Sequence, residues 1–169
     1  SGVFGPIGMD NDPLLVTGQG IYSSFPEQEL PPYLESQLWY RRLRRKVLDA
    51  PAGTVVFGST FPTADGTRYQ FAVAQALEQF DGECILMVLM DERVLQDLYE
   101  PVLTDGSEIY IYDQQGYIVS HPNKKLLGKQ FVDPQAMATL YGANSASVIR
   151  KQGKAYLLTN YLDENTGWT

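Results

Sequence analysis

His121 follows Ser120, and it is the one place in the chain where a hydroxyl nucleophile adjoins a base. A Ser–His pair works only when the two side chains converge within hydrogen-bond reach, whereas neighbours on a strand point to opposite faces. The plainer reading of His121 is a strand-end residue turning into Pro122. Cys84 is the sole cysteine and sits in an apolar run, so neither a disulfide nor a thiolate zinc site can be built. Gly18-Gln19-Gly20 has two glycines of a phosphate loop but no third, and no Lys-Ser/Thr ahead of a helix; a turn suffices. Carboxylates are scattered, with no pair that spacing brings into one cleft. The sequence assigns no catalytic residue, no metal ligand and no cofactor.

The basic run Arg41-Arg42-Leu43-Arg44-Arg45-Lys46 could meet an anionic ligand or a lipid surface. The element carrying it argues otherwise. Over 33–48 the period is helical, with Trp39, Tyr40, Leu43 and Val47 on one arc and Arg41, Arg42 and Arg45 turned away, which makes the run a solvated face. Pro31-Pro32 suits the helix entrance and Ala50-Pro51-Ala52-Gly53 its exit.

Strand signals surround that helix. Thr54 to Phe57 is β-branched and aromatic. Tyr69 to Leu77 alternates large apolar residues (Tyr69, Phe71, Val73, Leu77) with small or polar ones, the period of a half-buried strand. Cys84 to Met90 is apolar on both faces and predicts a central strand covered on each side. Asp81-Gly82 between the two predicts a hairpin. Asp91 then caps a short helix over 92–99 with Val94, Leu95 and Leu98 on its inner face.

The remainder repeats this plan in smaller form. Residues 108–112 and 117–120 flank Gln115-Gly116 as a hairpin. Asp133-Pro134 opens a helix to about Tyr141. Residues 147–149 and 155–162 pair around Gln152-Gly153, and Trp168 opens one more strand. The expected class is α+β, two units in series, each an antiparallel sheet flanked by helices. The boundary is placed at Asp105, giving units 1–104 and 105–169.

Charge supports this split. Residues 1–105 hold 7 Lys and Arg against 15 Asp and Glu, while 106–169 hold 6 against 5. A net charge of −7 over 169 residues argues against a nucleic-acid surface, which needs clustered cations. The longest apolar stretch, 84–90, is far short of the ~18–20 residues that span a bilayer. Ser1-Gly2 reads as a cleavage scar, and the chain as an excised piece of a larger protein.

One block is more specific. Residues 108–129, Glu-Ile-Tyr-Ile-Tyr-Asp-Gln-Gln-Gly-Tyr-Ile-Val-Ser-His-Pro-Asn-Lys-Lys-Leu-Leu-Gly-Lys, resemble the strand–turn–strand signature of Cache domains, the PAS-like sensor modules outside bacterial membrane receptors. The matching features are Asp113 ahead of Gly116, the Tyr117-Ile118-Val119 strand, His121-Pro122 and Leu127-Gly128. Leu38-Trp39-Tyr40 is similar to the aromatic pair in the distal helix of a tandem (double) module. Met87 to Leu95 is similar to its last distal strand and following helix, and Thr166-Gly167-Trp168 to the closing strand of the proximal unit. The likeness covers roughly 33–168; its long N-terminal helix would lie upstream and its last strand downstream.

The resemblance implies two stacked units on the extracytoplasmic face of a bacterial membrane, in a membrane-anchored, homodimeric parent. The distal unit would bind a small molecule or an external protein. The output would be a histidine kinase of the YesM type, with a chemoreceptor or a diguanylate cyclase as alternatives. A module that binds no ligand and serves as a spacer or docking surface is the rival reading. In relatives that bind amino acids, an Arg two residues before the Trp-Tyr pair clamps the ligand carboxylate; here that position is Gln37. The ammonium-pairing Asp corresponds to Asp91, so half of the clamp is absent. The ligand-site candidates are Gln37, Trp39, Tyr40, Asp91, and Phe57 and Ser59 on the strand expected to face the helix. Trp39 reads first as core and then as pocket wall, Tyr40 as either alike, and Asp91 reads as the helix cap ahead of a ligand contact.

Overall fold

Pro13–Thr17 (β1) and Gly20–Ser23 (β2) form the first hairpin of the computed structural model, which describes residues 13–23, 30–63, 65–78, 82–131 and 146–169. The Gly18-Gln19-Gly20 segment is its turn. Two helices follow, Leu30–Ser36 (α1) and Leu38–Asp49 (α2), then strands Val55–Phe57 (β3), Phe61–Pro62 (β4), Tyr69–Ala76 (β5) and Cys84–Asp91 (β6), and helix Arg93–Tyr99 (α3). The sheet runs β2-β1-β6-β5-β3, with β4 also on β5, and every pairing is antiparallel. The class is α+β, and the chain divides after Asp105 into two compact units.

The helix expected over 33–48 is two helices. Gln37 breaks it with an extended backbone, φ −84° and ψ 126°. The last turn of α1 closes on itself instead: the Gln37 N–H donates to the Leu34 carbonyl, and the Ser36 hydroxyl donates to the Tyr33 carbonyl. A serine hydroxyl that takes a nearby backbone carbonyl competes with helix continuation. Pro31 and Pro32 lie inside the first turn of α1, where a missing N–H costs nothing.

Beyond the break, α2 follows the arc read from sequence. Tyr40, Leu43 and Val47 are buried, and Arg41, Arg42 and Arg45 are exposed. The arc packs on one face of the sheet, against Leu14 and Val16 of β1, Ala72 and Ala74 of β5, and Ile85, Met87 and Leu89 of β6. Register explains that set, because Ala72 pairs with Leu89 and Ala74 with Met87, and side chains of paired residues share a face.

Two expectations about faces are thereby corrected. On β5 the helix rests on the small residues of the alternation, and Phe71 and Val73 point to the other side. The helix axis comes too close for large side chains there: a Cβ added at Gly58 would stand 3.4 Å from Leu43 Cδ2 and 3.3 Å from the Ala72 carbonyl oxygen. β6 is central, as read, yet its helix face is buried at Ile85, Met87 and Leu89 while its other face is buried only at Cys84. Its other face carries Leu86 at 37% exposure, with Val88 and Met90 half-buried.

α3 also turns differently from expectation. Tyr99 is its buried residue, whereas Val94 and Leu98 are exposed. Its rotation is set at the start, where the Arg93 N–H donates to Asp91 Oδ1 at 2.8 Å and the Glu92 N–H to the Tyr69 carbonyl at 3.0 Å. The N-cap position is Glu92, whose side chain makes no capping bond, and Asp91 just ahead of it takes the Arg93 N–H instead.

In the second unit, Ile111–Tyr112 (β7) pairs with Ile118–Ser120 (β8), and Ala146–Lys151 (β9) with Lys154–Thr159 (β10). The first turn is held by Asp113 Oδ1, which accepts from the Gln115 and Tyr117 N–H groups. Gln152 and Gly153 both have positive φ, 51° and 78°, the tight turn that matches strand twist. Thr169 exchanges both backbone hydrogen bonds with Tyr112, so the segment after Trp168 starts to pair with β7. Tyr110, Tyr112, His121 and Phe131 pack ring on ring, and the Asn123 N–H donates to His121 Nδ1 at 2.8 Å. The helix expected from Asp133, and Ser1, Gly2 and Asp81, lie outside the described residues.

Candidate functional site

The end of the first sheet nearest Asp91 collects three of the six sequence candidates, Trp39, Tyr40 and Asp91, on its helix face. Trp39, on the first turn of α2, lies parallel to Phe61 of β4, with ring centroids 3.8 Å apart, and stands edge-on to Tyr40 at 6.0 Å. Phe61 is paired with Gln70, and Gln70 with Asp91. Phenyl, amide and carboxylate thus lie side by side on β4, β5 and β6, each strand ~4.8 Å from the next, with the Trp39 indole stacked on the phenyl.

Two donors in this layer are idle. Trp39 Nε1 and the Tyr40 hydroxyl are both buried and have no hydrogen-bond partner. Tyr40 is wholly inaccessible; burial, followed by the nearby Glu35 charge, pushes its phenol up to about 12, so it stays protonated and able to donate. An unsatisfied buried polar group costs ~1–3 kcal/mol, and two side by side are unusual in a well-packed fold.

Asp91 is the opposite case. Its Oδ1 accepts from the Arg93 N–H at 2.8 Å and Arg93 Nε at 3.2 Å; its Oδ2 accepts from Arg93 Nη2 at 3.0 Å and Arg68 Nη1 at 3.3 Å. Burial alone would raise this carboxyl, but the hydrogen bonds and charge of Arg93, with the charge of Arg68, outweigh it and hold it below its ordinary value.

The remaining candidates are less central. Gln37 sits in the break between α1 and α2, and its Nε2 donates to Ser36 Oγ at 3.0 Å. Ser59 is half-buried in the link between β3 and β4. Phe57 pairs with Val73 and so belongs to the face away from α2, a correction to its expected placement: the period of two sends Val56, opposite Ala74, to the helix instead. The sequence reading passed over Phe61, Gln70 and Arg68. Arg68 shares the parity of Gln70, Ala72 and Ala74, and a correct face for β5 would have found it.

Among the described residues no group of three or more His, Cys, Asp or Glu could hold a metal ion. No helix among them is long and apolar enough to cross a membrane.

No family model and no curated protein sequence matches the chain. Solved structures do share its fold. The ligand-binding domain of the amino acid chemoreceptor PctB of Pseudomonas aeruginosa PAO1, in complex with L-Gln, superposes with a TM-score of 0.63 at 11% identity, over 93% of this chain and 64% of that one. The ligand-binding domain of the Pseudomonas fluorescens chemoreceptor CtaA, with L-isoleucine, gives 0.58 at 13% identity, over 93% and 65%. The ligand-binding domain of Mlp24 with asparagine gives 0.59 at 16%, over 93% and 65%. The chain thus spans somewhat less than two thirds of each of these domains. At such identities the likeness shows a shared fold.

Proposed function

We propose that the chain is the ligand-sensing, extracytoplasmic part of a membrane-bound signal-transduction receptor, built of a distal Cache unit (1–104) and a proximal one (105–169). The ligand site is the helix face around Trp39, Tyr40 and Asp91. The observation that carries this reading is the pair of buried, unpartnered donors, Trp39 Nε1 and Tyr40 Oη. Buried donors of this kind are satisfied by a partner outside the chain, an ordered water or a ligand. The fold neighbours support the same reading, since they are ligand-binding domains described with amino acids.

Binding beneath α2 gives a direct route to a signal. A ligand that prefers one packing of α2 on β5 shifts the balance between packings by its differential affinity, and by no more. The receptor's output is a histidine kinase of the YesM type or a chemoreceptor; the fold likeness bears on both, and the neighbours' own roles favour the second.

The docking-module reading has one observation behind it: Val94, Leu98 and Val102 form an exposed apolar row along α3 and the turn after it. A thermal-shift and calorimetric screen of amino acids, organic acids, sugars and short peptides separates the two. Saturable binding that Tyr40→Phe weakens supports the sensor. Absence of binding by every class would favour the docking module.

A further inference from the structure

We infer that the β9–β10 hairpin of the second unit docks on an anionic phospholipid surface, with Arg150, Lys151 and Lys154 at headgroup phosphates and Val148 and Leu157 against the acyl boundary. The contact uses none of the ligand-site residues and stands or falls apart from them. Register sorts the hairpin into two faces. Ala146 pairs with Thr159, Val148 with Leu157 and Arg150 with Ala155 on one; Ser147 pairs with Leu158, Ile149 with Tyr156 and Lys151 with Lys154 on the other. The second face turns inward, since Ser147, Ile149 and Leu158 are half-buried. Every residue of the first is exposed, with Val148 at 70% and Leu157 at 72%. Those two stand directly opposite each other, an apolar pair that no described residue covers.

Charge identifies what covers it. Lys151 and Lys154 are cross-strand partners at the turn, with Arg150 beside them, and like charges directly opposite destabilise a hairpin. Among the described residues no ion pair reaches any of the three, and the sequence offers no acid between Asp133 and Asp163. An anionic surface relieves that repulsion. A second copy of the hairpin would bring three more cations to the same place, which opposes edge-to-edge pairing. A standard protein interface needs about 800 Å² per partner around several buried anchors, and this face presents two large apolar side chains. A bilayer surface demands no such shape. Interfacial binding adds apolar burial to the attraction of Lys and Arg for acidic headgroups, and the long cationic side chains reach headgroup level while the apolar pair dips below it. Tyr156 and Tyr161 are exposed on the same segment, and tyrosine is enriched at such interfaces. The chain as a whole carries −7 and is repelled by the same surface, so binding reports a local patch and not net charge.

Co-sedimentation of the 169-residue chain with vesicles of phosphatidylglycerol or phosphatidylcholine tests this, at about 10 mM and about 150 mM salt. The chain should bind phosphatidylglycerol at low salt, more weakly at high salt, and phosphatidylcholine at neither. Arg150→Gln, Lys151→Gln and Lys154→Gln together should weaken binding about 100-fold, at about fivefold per cation. Arg41→Gln, Arg42→Gln and Arg45→Gln on α2 change the net charge equally and should leave it unaltered. Leu157→Trp, which keeps all three cations, should be quenched by phosphatidylglycerol with brominated acyl chains, while Trp39 and Trp168 of the parent chain should not. No binding to phosphatidylglycerol, equal binding to phosphatidylcholine, equal loss in the two triple variants, or an unquenched Leu157→Trp would each overturn the inference. Binding to polyglutamate without binding to vesicles would overturn the lipid and give the hairpin to an acidic protein partner.

Discussion

Trp39 lies flat on Phe61, with ring planes 4° from parallel and centroids 3.8 Å apart. Phe61 belongs to a two-residue strand, Phe61–Pro62, so much of what fixes that short strand beneath α2 is the stack itself. Phe61→Leu keeps an apolar side chain of similar bulk but removes the aromatic pairing, worth ~0.5–1.5 kcal/mol beyond burial. Stability should fall by about 1–2 kcal/mol in urea. In a Trp168→Phe background, where Trp39 is the only indole, its emission should shift to the red. An unchanged spectrum would mean that the stack does not shield the indole.

Gly58 tests how closely α2 approaches the sheet. Its N–H donates to the Ala72 carbonyl at 2.8 Å, and the space where a side chain would stand is closed by Leu43. Gly58→Val should destabilise by about 1–3 kcal/mol through overpacking, seen as a lower denaturation midpoint with an unchanged m-value. Adding Leu43→Ala should return part of that loss, because the two residues share one space. Simple additivity of the two variants would rule out the close approach.

Much of this arrangement was legible in the sequence, and the failures share a cause. The arc of α2, the hairpin turns and the start of α3 just after Asp91 depend on residues within a few positions of each other, so local period and turn chemistry sufficed. The inward face of β5 was not local. Alternation names two faces but not which one a helix will cover, and here close packing over Gly58 selected Ala72 and Ala74 in preference to Phe71 and Val73. Phe57 was misplaced by the same ambiguity, since a strand register wrong by one residue exchanges its faces. Arg68 was overlooked because its meaning depends on a partner 23 residues away, Asp91.

That partnership has a pH signature. Asp91 sits below its ordinary value of 3.8. A carboxyl depressed in the folded state stabilises the fold above its unfolded value and loses that contribution as pH falls through the folded one. Stability should therefore hold from neutrality to about pH 4 and decline below it. Asp91→Asn should lower stability at pH 7 by about 1–3 kcal/mol, through lost charged hydrogen bonds. The difference between the two pH profiles should close below pH 4. Taking the difference separates Asp91 from Asp65 and Asp163, which are also lowered. A gap that stays constant down to pH 2 would show that the Asp91 charge is not what the fold uses.

Tyr40→Phe brings the stability and binding arguments to one side chain. The hydroxyl is buried without a partner, so the unliganded protein carries its desolvation cost and gains nothing from it. Removing one oxygen from an otherwise conserved ring leaves the packing against Leu43 and Trp39 intact. The variant should therefore be more stable than the parent by about 1 kcal/mol without ligand, an unusual sign for a change at a fully buried position. The same substitution should weaken ligand binding about tenfold, because the hydroxyl can no longer reach the ligand. A functional group kept at the expense of stability is the expected mark of a binding site. Thermal melts with and without ligand read both effects, with the melting temperature rising in the first case and the ligand-induced shift shrinking in the second. If Tyr40→Phe were instead destabilising and left binding untouched, the hydroxyl would be a structural group, and the site would have to lie elsewhere.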